Sequence, residues 1–499
     1  MYDIIIKNGK IIDGTGSDGV FADVAIKDGK IAKIGQDLCG AEKTIDAKGL
    51  VVTPGFIDSH SHADNKVLPF PEQIEKVEQG ITTSIGGQCG SSPYPKTEDG
   101  KLVKMSAFLE TASKNPTGAN LAVFAGHSAI RKAVMGMDVR KPTAEEMEKM
   151  KDLLRDAMDA GAMGISFGLI YTPSCYSETE ELIELAKVAK EKGGMIASHI
   201  RDEVDGLVGA VEEFITIARE ADIRGVISHH KVMSKANHGA VKRTIKMIEK
   251  ANSEGCDIYC DVYPYVASRT SLSARLIPSQ YVNDNLSDYM KDPALRQEFK
   301  DYIINKYGQD LSFIQINACA AYPQYVGLML DEVSKLHGKD MLETAFDLLQ
   351  AEPRTQACYF LMCEEDVKTV LSWERAMICT DSSVAGNAKF YHPRLRGSFP
   401  RVLGRYVREE EVTSLPEMIR KMTSLPAYVY SLENKGVIKE GYDADICVFD
   451  PETITDTATF TECTKGAKGL NYVIVGGKIA AENAISNKTK SAKVLLRNK

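Results

Sequence analysis

Short apolar runs broken by turn-forming dipeptides mark both ends of the chain. Ile4-Ile5-Ile6-Lys7 leads into Asn8-Gly9, and Val24-Ala25-Ile26-Lys27 leads into Asp28-Gly29. Both dipeptides suit two-residue type I′ loops, whose central residues need positive φ, so two hairpins are predicted. The pattern returns late: Ala444-Asp445-Ile446-Cys447-Val448-Phe449, then Tyr472-Val473-Ile474-Val475 ahead of Gly476-Gly477. Matching β segments at the two ends predict one small β domain built from residues 1–53 and 431–499. Everything else is inserted between them.

The middle alternates short apolar strands with amphipathic helical stretches, the pattern of a parallel sheet with crossover helices. Eight strands are predicted, ending near His60, Gln88, Gly126, Phe167, His199, His229, Asp261 and Asp381. Eight such units fit an α/β fold of the TIM type, a (β/α)8 barrel over residues 54–430, with its active site at the C-terminal strand ends. Residues 280–370, between the seventh and eighth strands, carry their own helices and a strand at Phe313-Ile314-Gln315-Ile316. That stretch reads as an insertion and a candidate lid over the barrel mouth.

Composition narrows the partners. The 499 residues suffice for one large barrel and a satellite, and 26% charged residues with a net charge of −8 argue against nucleic-acid or anionic-membrane surfaces. Met1-Tyr2-Asp3-Ile4 enters a strand directly, without the basic and apolar regions of a secretion signal, and no apolar run is long enough to span a bilayer. Eleven scattered cysteines, with no CxxC pair, fit reduced thiols and a cytoplasmic setting. The expected partner is a small molecule, and a homo-oligomer is left open.

The chemistry begins at Pro54-Gly55-Phe56-Ile57-Asp58-Ser59-His60-Ser61-His62. Residues i and i+2 of an extended chain point to one face, so His60 and His62 converge and can hold a metal. Cys89 ends the second strand after Gly86-Gly87-Gln88, where paired glycines allow a close backbone approach. His199 and His229 end the fifth and sixth strands on the same rim. Alternation favours His229 over His230: with His229 inward Lys231 is inward too, whereas the other choice buries Lys231 among helices at high cost. A thiolate and two neutral imidazoles hold zinc at three positions and leave a fourth for water, whose pKa falls to about 7. Asp381, at the eighth strand end, can act as a helix cap, or can take a proton from that water and pass it to a leaving amine.

With these positions the chain resembles the amidohydrolase superfamily and, within it, the N-acyl-D-amino-acid deacylase (D-aminoacylase) family. The narrower resemblance rests on Gly86-Gly87-Gln88-Cys89-Gly90, Ser228-His229-His230-Lys231, Asp261-Val262-Tyr263-Pro264-Tyr265, and His392-Pro393-Arg394 leading into Gly397-Ser398-Phe399-Pro400-Arg401. It implies a tight zinc at Cys89, His199 and His229, and a weaker second metal position near His60, His62 and Asp381. Asp381 is then general base and acid in the hydrolysis of N-acyl-D-amino acids. Lys231 and Tyr263 resemble the family's clamp on the substrate α-carboxylate, joined by Arg275 or Arg269. Arg269 stands where some members carry serine. Tyr171, at the fourth strand end, reads equally as a substrate contact or a packing residue.

A carbamoylated lysine bridging two metals, as in other members of the superfamily, is not expected. Lys149 and Lys151 fall in a charged helical run that cannot reach the barrel lumen, which weakens a hydantoinase or dihydroorotase reading. The alternatives are an amidohydrolase acting on a cyclic amide or a dipeptide, and a non-catalytic scaffold. A scaffold has no need of a complete set of ligands, base and cationic clamp.

Overall fold

The computed structural model describes residues 1–98 and 101–497. Eight parallel strands make the barrel: Phe56–Asp58, Ile81–Gly86, Asn120–Val123, Gly164–Gly168, Met195–His199, Gly225–Ile227, Ile258–Val262 and Ala376–Ile378. Neighbours pair in chain order, and the third strand continues through Phe124 into Ala125–Gly126 to meet the fourth. Ser59 N donating to the Ile378 carbonyl at 3.3 Å and Asp381 N to the His60 carbonyl at 2.9 Å close the ring. Strand alternation explains the packing. Ile57, Ile85, Ala122, Met163, Ala197, Val226, Tyr259 and Met377 fill the lumen in one buried cluster, one residue from each strand or its edge. Their neighbours Phe56, Ile165, Ile196, Ile227, Ile258 and Ile378 face the helix layer.

The helix Ala144–Asp159 shows how the outer layer is specified. Thr143 and Glu146 form a capping box at its start, and Met150, Leu153, Leu154, Ala157 and Met158 bury its inner stripe. Lys149 and Lys151 lie on its outer side, paired with Glu145 at 2.8 Å and Glu184 at 3.0 Å. Neither lysine approaches the barrel mouth.

The terminal segments share one nine-stranded sheet, joined where Val51–Pro54 pairs antiparallel with Ile446–Phe449. Asp28-Gly29 and Gly476-Gly477 turn hairpins at positive φ. Asn8-Gly9 does not. The strand Tyr2–Ile11 runs straight through it, with a register shift between Ile6 and Gly9. Asn8 sits at φ 63°, its N–H donates to Asp23, and a Cβ on Gly9 would meet Val52 Cγ2 at 2.5 Å. The dipeptide therefore makes a bulge that lets Val51–Pro54 approach, rather than a turn.

Between the seventh and eighth barrel strands, Ser268–Ser271, Ile314–Ala318 and Gln356–Tyr359 form a separate antiparallel sheet backed by helices Pro293–Tyr307, Leu330–His337 and Met341–Ala351. It places Ser268, Arg269 and Thr270 on the wall of the barrel mouth.

A buried ion pair locks the first strand to the eighth. Lys76 Nζ donates to Asp58 Oδ2 at 2.8 Å, Thr380 Oγ1 at 2.7 Å and the Ser382 carbonyl at 2.8 Å, while Asp58 Oδ1 accepts from Thr380 N at 2.8 Å. Removing the cation strands a buried carboxylate, so Lys76→Met should destabilise the fold by about 3–5 kcal/mol. Urea unfolding of the variant measures it, and a loss under 1 kcal/mol would show that solvent reaches Asp58.

Candidate metal centre and substrate cavity

The residues that converge at the barrel mouth sit where the backbone leaves the strands. Cys89, His229 and Asp381 all take left-handed φ, at 53°, 38° and 45°. Non-glycine residues rarely adopt that region, and strain of this kind collects at functional sites. The Cys89 turn is pinned by Ser166, whose hydroxyl donates to the Gly87 carbonyl at 2.5 Å and accepts from Gly90 N at 3.1 Å. At Gly87, with φ +70°, a Cβ would lie 2.1 Å from the Phe124 carbonyl oxygen, so glycine is required.

Cys89 Sγ is the hub, 3.3 Å from His60 Nε2, 3.4 Å from His229 Nε2 and 3.8 Å from His199 Nδ1. Cys89, His60 and His229 form one compact donor trio, and His60, His62 and Asp381 form another. His199 joins through its ring, whose centre is 4.4 Å from that of His229. Burial disfavours a thiolate, but the His60 and His229 charges, with bonds from His199 and His229, hold the Cys89 thiol well below its ordinary pKa. Three carboxylates surround the imidazoles. Asp381 Oδ1 lies 3.3 Å from His62 Nε2 and 3.6 Å from His60 Nε2, and Asp261 Oδ1 lies 3.6 Å from His60 Nδ1. Glu203 lies 3.3 Å from His229 Nδ1 and 3.4 Å from His199 Nε2. Buried His60 Nδ1 and His199 Nε2 have no hydrogen-bond partner. A soft thiolate among buried imidazoles, with carboxylates behind them, is a donor set that fits zinc.

His230 turns the other way, its Nε2 2.9 Å from Thr244 Oγ1 in the helix layer, and burial with the Lys231 charge pushes it down to about 4. Lys231 Nζ reaches His229 Nδ1 at 2.8 Å and pairs with Glu203. The positive φ at His229 means that a kink, not the extended alternation assumed above, brings the two together. Burial opposes the Glu203 charge, but the His199 and Lys231 charges hold its carboxyl well below the ordinary range.

A cavity of about 300 Å³ opens above the centre, lined by His62, His199, His229, Lys231, Tyr263 and Asp381 among others. Arg275 lines it too, but its Nη2 is committed to Glu203 at 2.7 Å. Two residues missing from the sequence reading stand out. Glu203, four residues beyond His199 in the loop that leads to the helix Leu207–Glu220, ties His199, His229, Lys231 and Arg275 together. Arg394 puts Nη1 2.7 Å from Asp381 Oδ2 and stacks 4.7 Å over the Tyr263 ring. Burial opposes the Asp381 charge, but Arg394 and the histidines keep its carboxyl well below the ordinary range. His392, which donates to the Ala267 carbonyl at 2.9 Å, accepts from Arg394 N at 3.0 Å and so fixes the start of the helix Arg394–Arg401. The His-Pro-Arg segment was itself the available signal for Arg394. A second cavity of about 700 Å³, sharing His62 and Tyr171 with the first, is lined by Cys89, Pro93, Pro95 and Ala129. Tyr171 stands between the two, its ring centre 5.1 Å from that of His199 and its hydroxyl 3.2 Å from Thr270 Oγ1.

Residues 43–253 and 380–481 match the amidohydrolase family. Over 492 residues the chain is 37% identical to the D-aminoacylase of Alcaligenes xylosoxydans xylosoxydans, covering 95% of this chain and 94% of that one. It is 35% identical over 489 residues to the N-acyl-D-glutamate deacylase of the same organism, covering 95% and 93%. Among solved structures, the N-acyl-D-glutamate deacylase of Bordetella bronchiseptica, complexed with zinc and a phosphonate mimic of the tetrahedral intermediate, superposes with a TM-score of 0.86 at 33% identity over 99% of both chains.

Proposed function

The chain belongs to the amidohydrolase family, and we propose how its own residues divide the zinc-dependent hydrolysis of N-acyl-D-amino acids among them. The enzyme releases a carboxylate and a free D-amino acid. Cys89, His199 and His229 would hold the tight zinc, with His60, His62 and Asp381 beside it as a weaker second position. When bound, zinc supplies Lewis acidity that acidifies water and polarises the acyl carbonyl. Asp381 takes the proton of the attacking water on its carboxylate and returns it to the departing amide nitrogen. Lys231, Tyr263 and Arg394 receive the α-carboxylate, and Arg275 acts one step back by holding Glu203. The single observation carrying this reading is the Cys89 sulfur within 3.8 Å of nitrogens from His60, His199 and His229.

The two cavities meet at His62 and Tyr171, which suits a substrate whose scissile amide lies at the metal centre. The amino-acid half then occupies the cationic cavity and the acyl half the cavity walled by Pro93, Pro95 and Ala129. We assign 54–430 to the catalytic barrel and 1–53 with 431–491 to the small β domain, a division supported by the shared terminal sheet. The tail that follows is left out of the small domain, because Ala492 N donates to the Thr117 carbonyl at 2.9 Å and Leu495 N to the Leu121 carbonyl at 2.8 Å, back on the barrel. All eleven cysteines are free, which supports a reducing cytoplasmic setting. No helix among the described residues is long and apolar enough to cross a membrane.

Metal content tests the ligand assignment. Cys89→Ala should lose the tight zinc, while His60→Ala should keep most of it and lose activity. Full zinc by elemental analysis in folded Cys89→Ala protein would overturn the assignment.

A further inference from the structure

The cationic cavity holds more positive charge than an α-carboxylate requires. Glu203 answers both Lys231 and Arg275, and Asp381 answers Arg394. Arg269 is different. On the strand Ser268–Ser271 its Nε donates to the Asn317 amide oxygen at 2.5 Å, and no described carboxylate lies within ion-pair reach. Its cross-strand neighbour Cys358 is no counter-ion, because burial pushes that thiol up to about 12. The bond from Arg269 to the amide oxygen fixes the orientation of Asn317 and leaves its Nδ2 without a partner, though the side chain is only 1% exposed. Ser268 Oγ, 5% exposed and on the cavity wall, also lacks a partner. A guanidinium without a counter-ion and an unpartnered hydroxyl line one wall of the cavity, and the amide bonded to that guanidinium carries an unpartnered buried N–H. A half-buried guanidinium with no counter-ion carries a desolvation cost that an anionic ligand offsets.

We propose that Arg269, supported by Asn317 and Ser268, binds a second carboxylate at the end of the substrate side chain, making this enzyme selective for N-acyl derivatives of acidic D-amino acids. The inference rests on the deacylase reading and deepens it. Arg269 sits on the inserted sheet, beyond the barrel residues that take the α-carboxylate, yet close enough to Arg394 for the two charges to interact. That arrangement places two anion sites on adjoining walls of one cavity. Similarity of 37% to a D-aminoacylase and 35% to a D-glutamate deacylase does not choose between neutral and acidic side chains. The Arg269 environment does.

The test compares kcat/KM for near-isosteric pairs, N-acetyl-D-glutamate against N-acetyl-D-glutamine and N-acetyl-D-aspartate against N-acetyl-D-asparagine. A buried charged site rejects an analogue that leaves it unpaired, so at least one acid should exceed its amide by about 10²-fold. Arg269→Met should reduce that ratio at least about tenfold, the size of one lost charge-assisted bond. Asn317→Asp, which supplies Arg269 with a carboxylate at nearly constant volume, should do the same and covers the case in which Arg269→Met fails to fold. Equal ratios for both pairs, or an unchanged ratio in a folded variant, would overturn the acidic subsite while leaving the deacylase intact. Absence of hydrolysis across all N-acetyl-D-amino acids, including D-methionine and D-leucine, would remove both.

Discussion

Asp381→Asn should remain folded and zinc-loaded while its kcat falls by about 10²–10⁴-fold, the usual cost of removing a general acid–base group. The position leaves little room for a purely structural role. Asp381 Oδ1 faces His62 Nε2 at 3.3 Å and Oδ2 faces Arg394 at 2.7 Å, so both oxygens are turned into the cavity. Its own N–H closes the barrel to the His60 carbonyl, a backbone bond that the substitution keeps. Asparagine retains size and one acceptor oxygen but cannot accept and return a proton at neutral pH. Single-turnover measurements with zinc content checked on the same sample separate the two roles. A zinc-loaded variant with most of its kcat would reduce Asp381 to a barrel closure residue.

The second large effect concerns the substrate α-carboxylate. Lys231 Nζ lies 5.6 Å and the Arg394 guanidinium 4.7 Å from the Tyr263 ring centre, so the three groups bracket one volume beside the metal centre. An anion leaving water for that volume needs charge-assisted bonds, each worth about 1.5–3 kcal/mol, or roughly 10–100-fold in binding. Converting the α-carboxylate to a carboxamide should therefore raise KM by at least that factor and lower kcat as positioning fails. Lys231→Met should reproduce much of the defect on the free acid and discriminate little further against the carboxamide. The coupling is the diagnostic quantity, because Lys231 also touches Glu203 and His229. Additive effects of the substitution and the amide would show that Lys231 acts through the metal centre instead.

The convergence of most candidate ligands is legible in the chain because barrel topology brings consecutive strand ends to one rim, whatever lies between them. His60, His62, Cys89, His199, His229 and Asp381 each lie at or just past a strand end, but the period of two does not by itself separate His229 from His230. Val226 faces the lumen, and the positive φ at His229 makes the kink that brings its ring inward. Glu203 was hidden. It lies past the strand end, and only folding brings it against Lys231 and Arg275, which arrive from two other segments. Arg394 was hidden for a related reason, since its segment was noticed but its reach to Asp381 depends on a helix fixed by His392 and Ala267. Lys76 and Asp58 are polar residues in an apolar neighbourhood, and no local pattern pairs them. Asn8-Gly9 shows the converse failure. The same dipeptide serves a turn or a bulge, and the close approach of Val52 decides which.

A zinc held at Cys89, His199 and His229 should drive hydrolysis of N-acyl-D-amino acids. The most direct measurement follows free amine released from paired D and L N-acetyl amino acids by protein first stripped of metal and then titrated with zinc. The stripped protein should be inactive, activity should reach its full value near one zinc per chain, and only the D substrates should release amine. Undiminished activity without zinc, or equal release from both enantiomers, would contradict this.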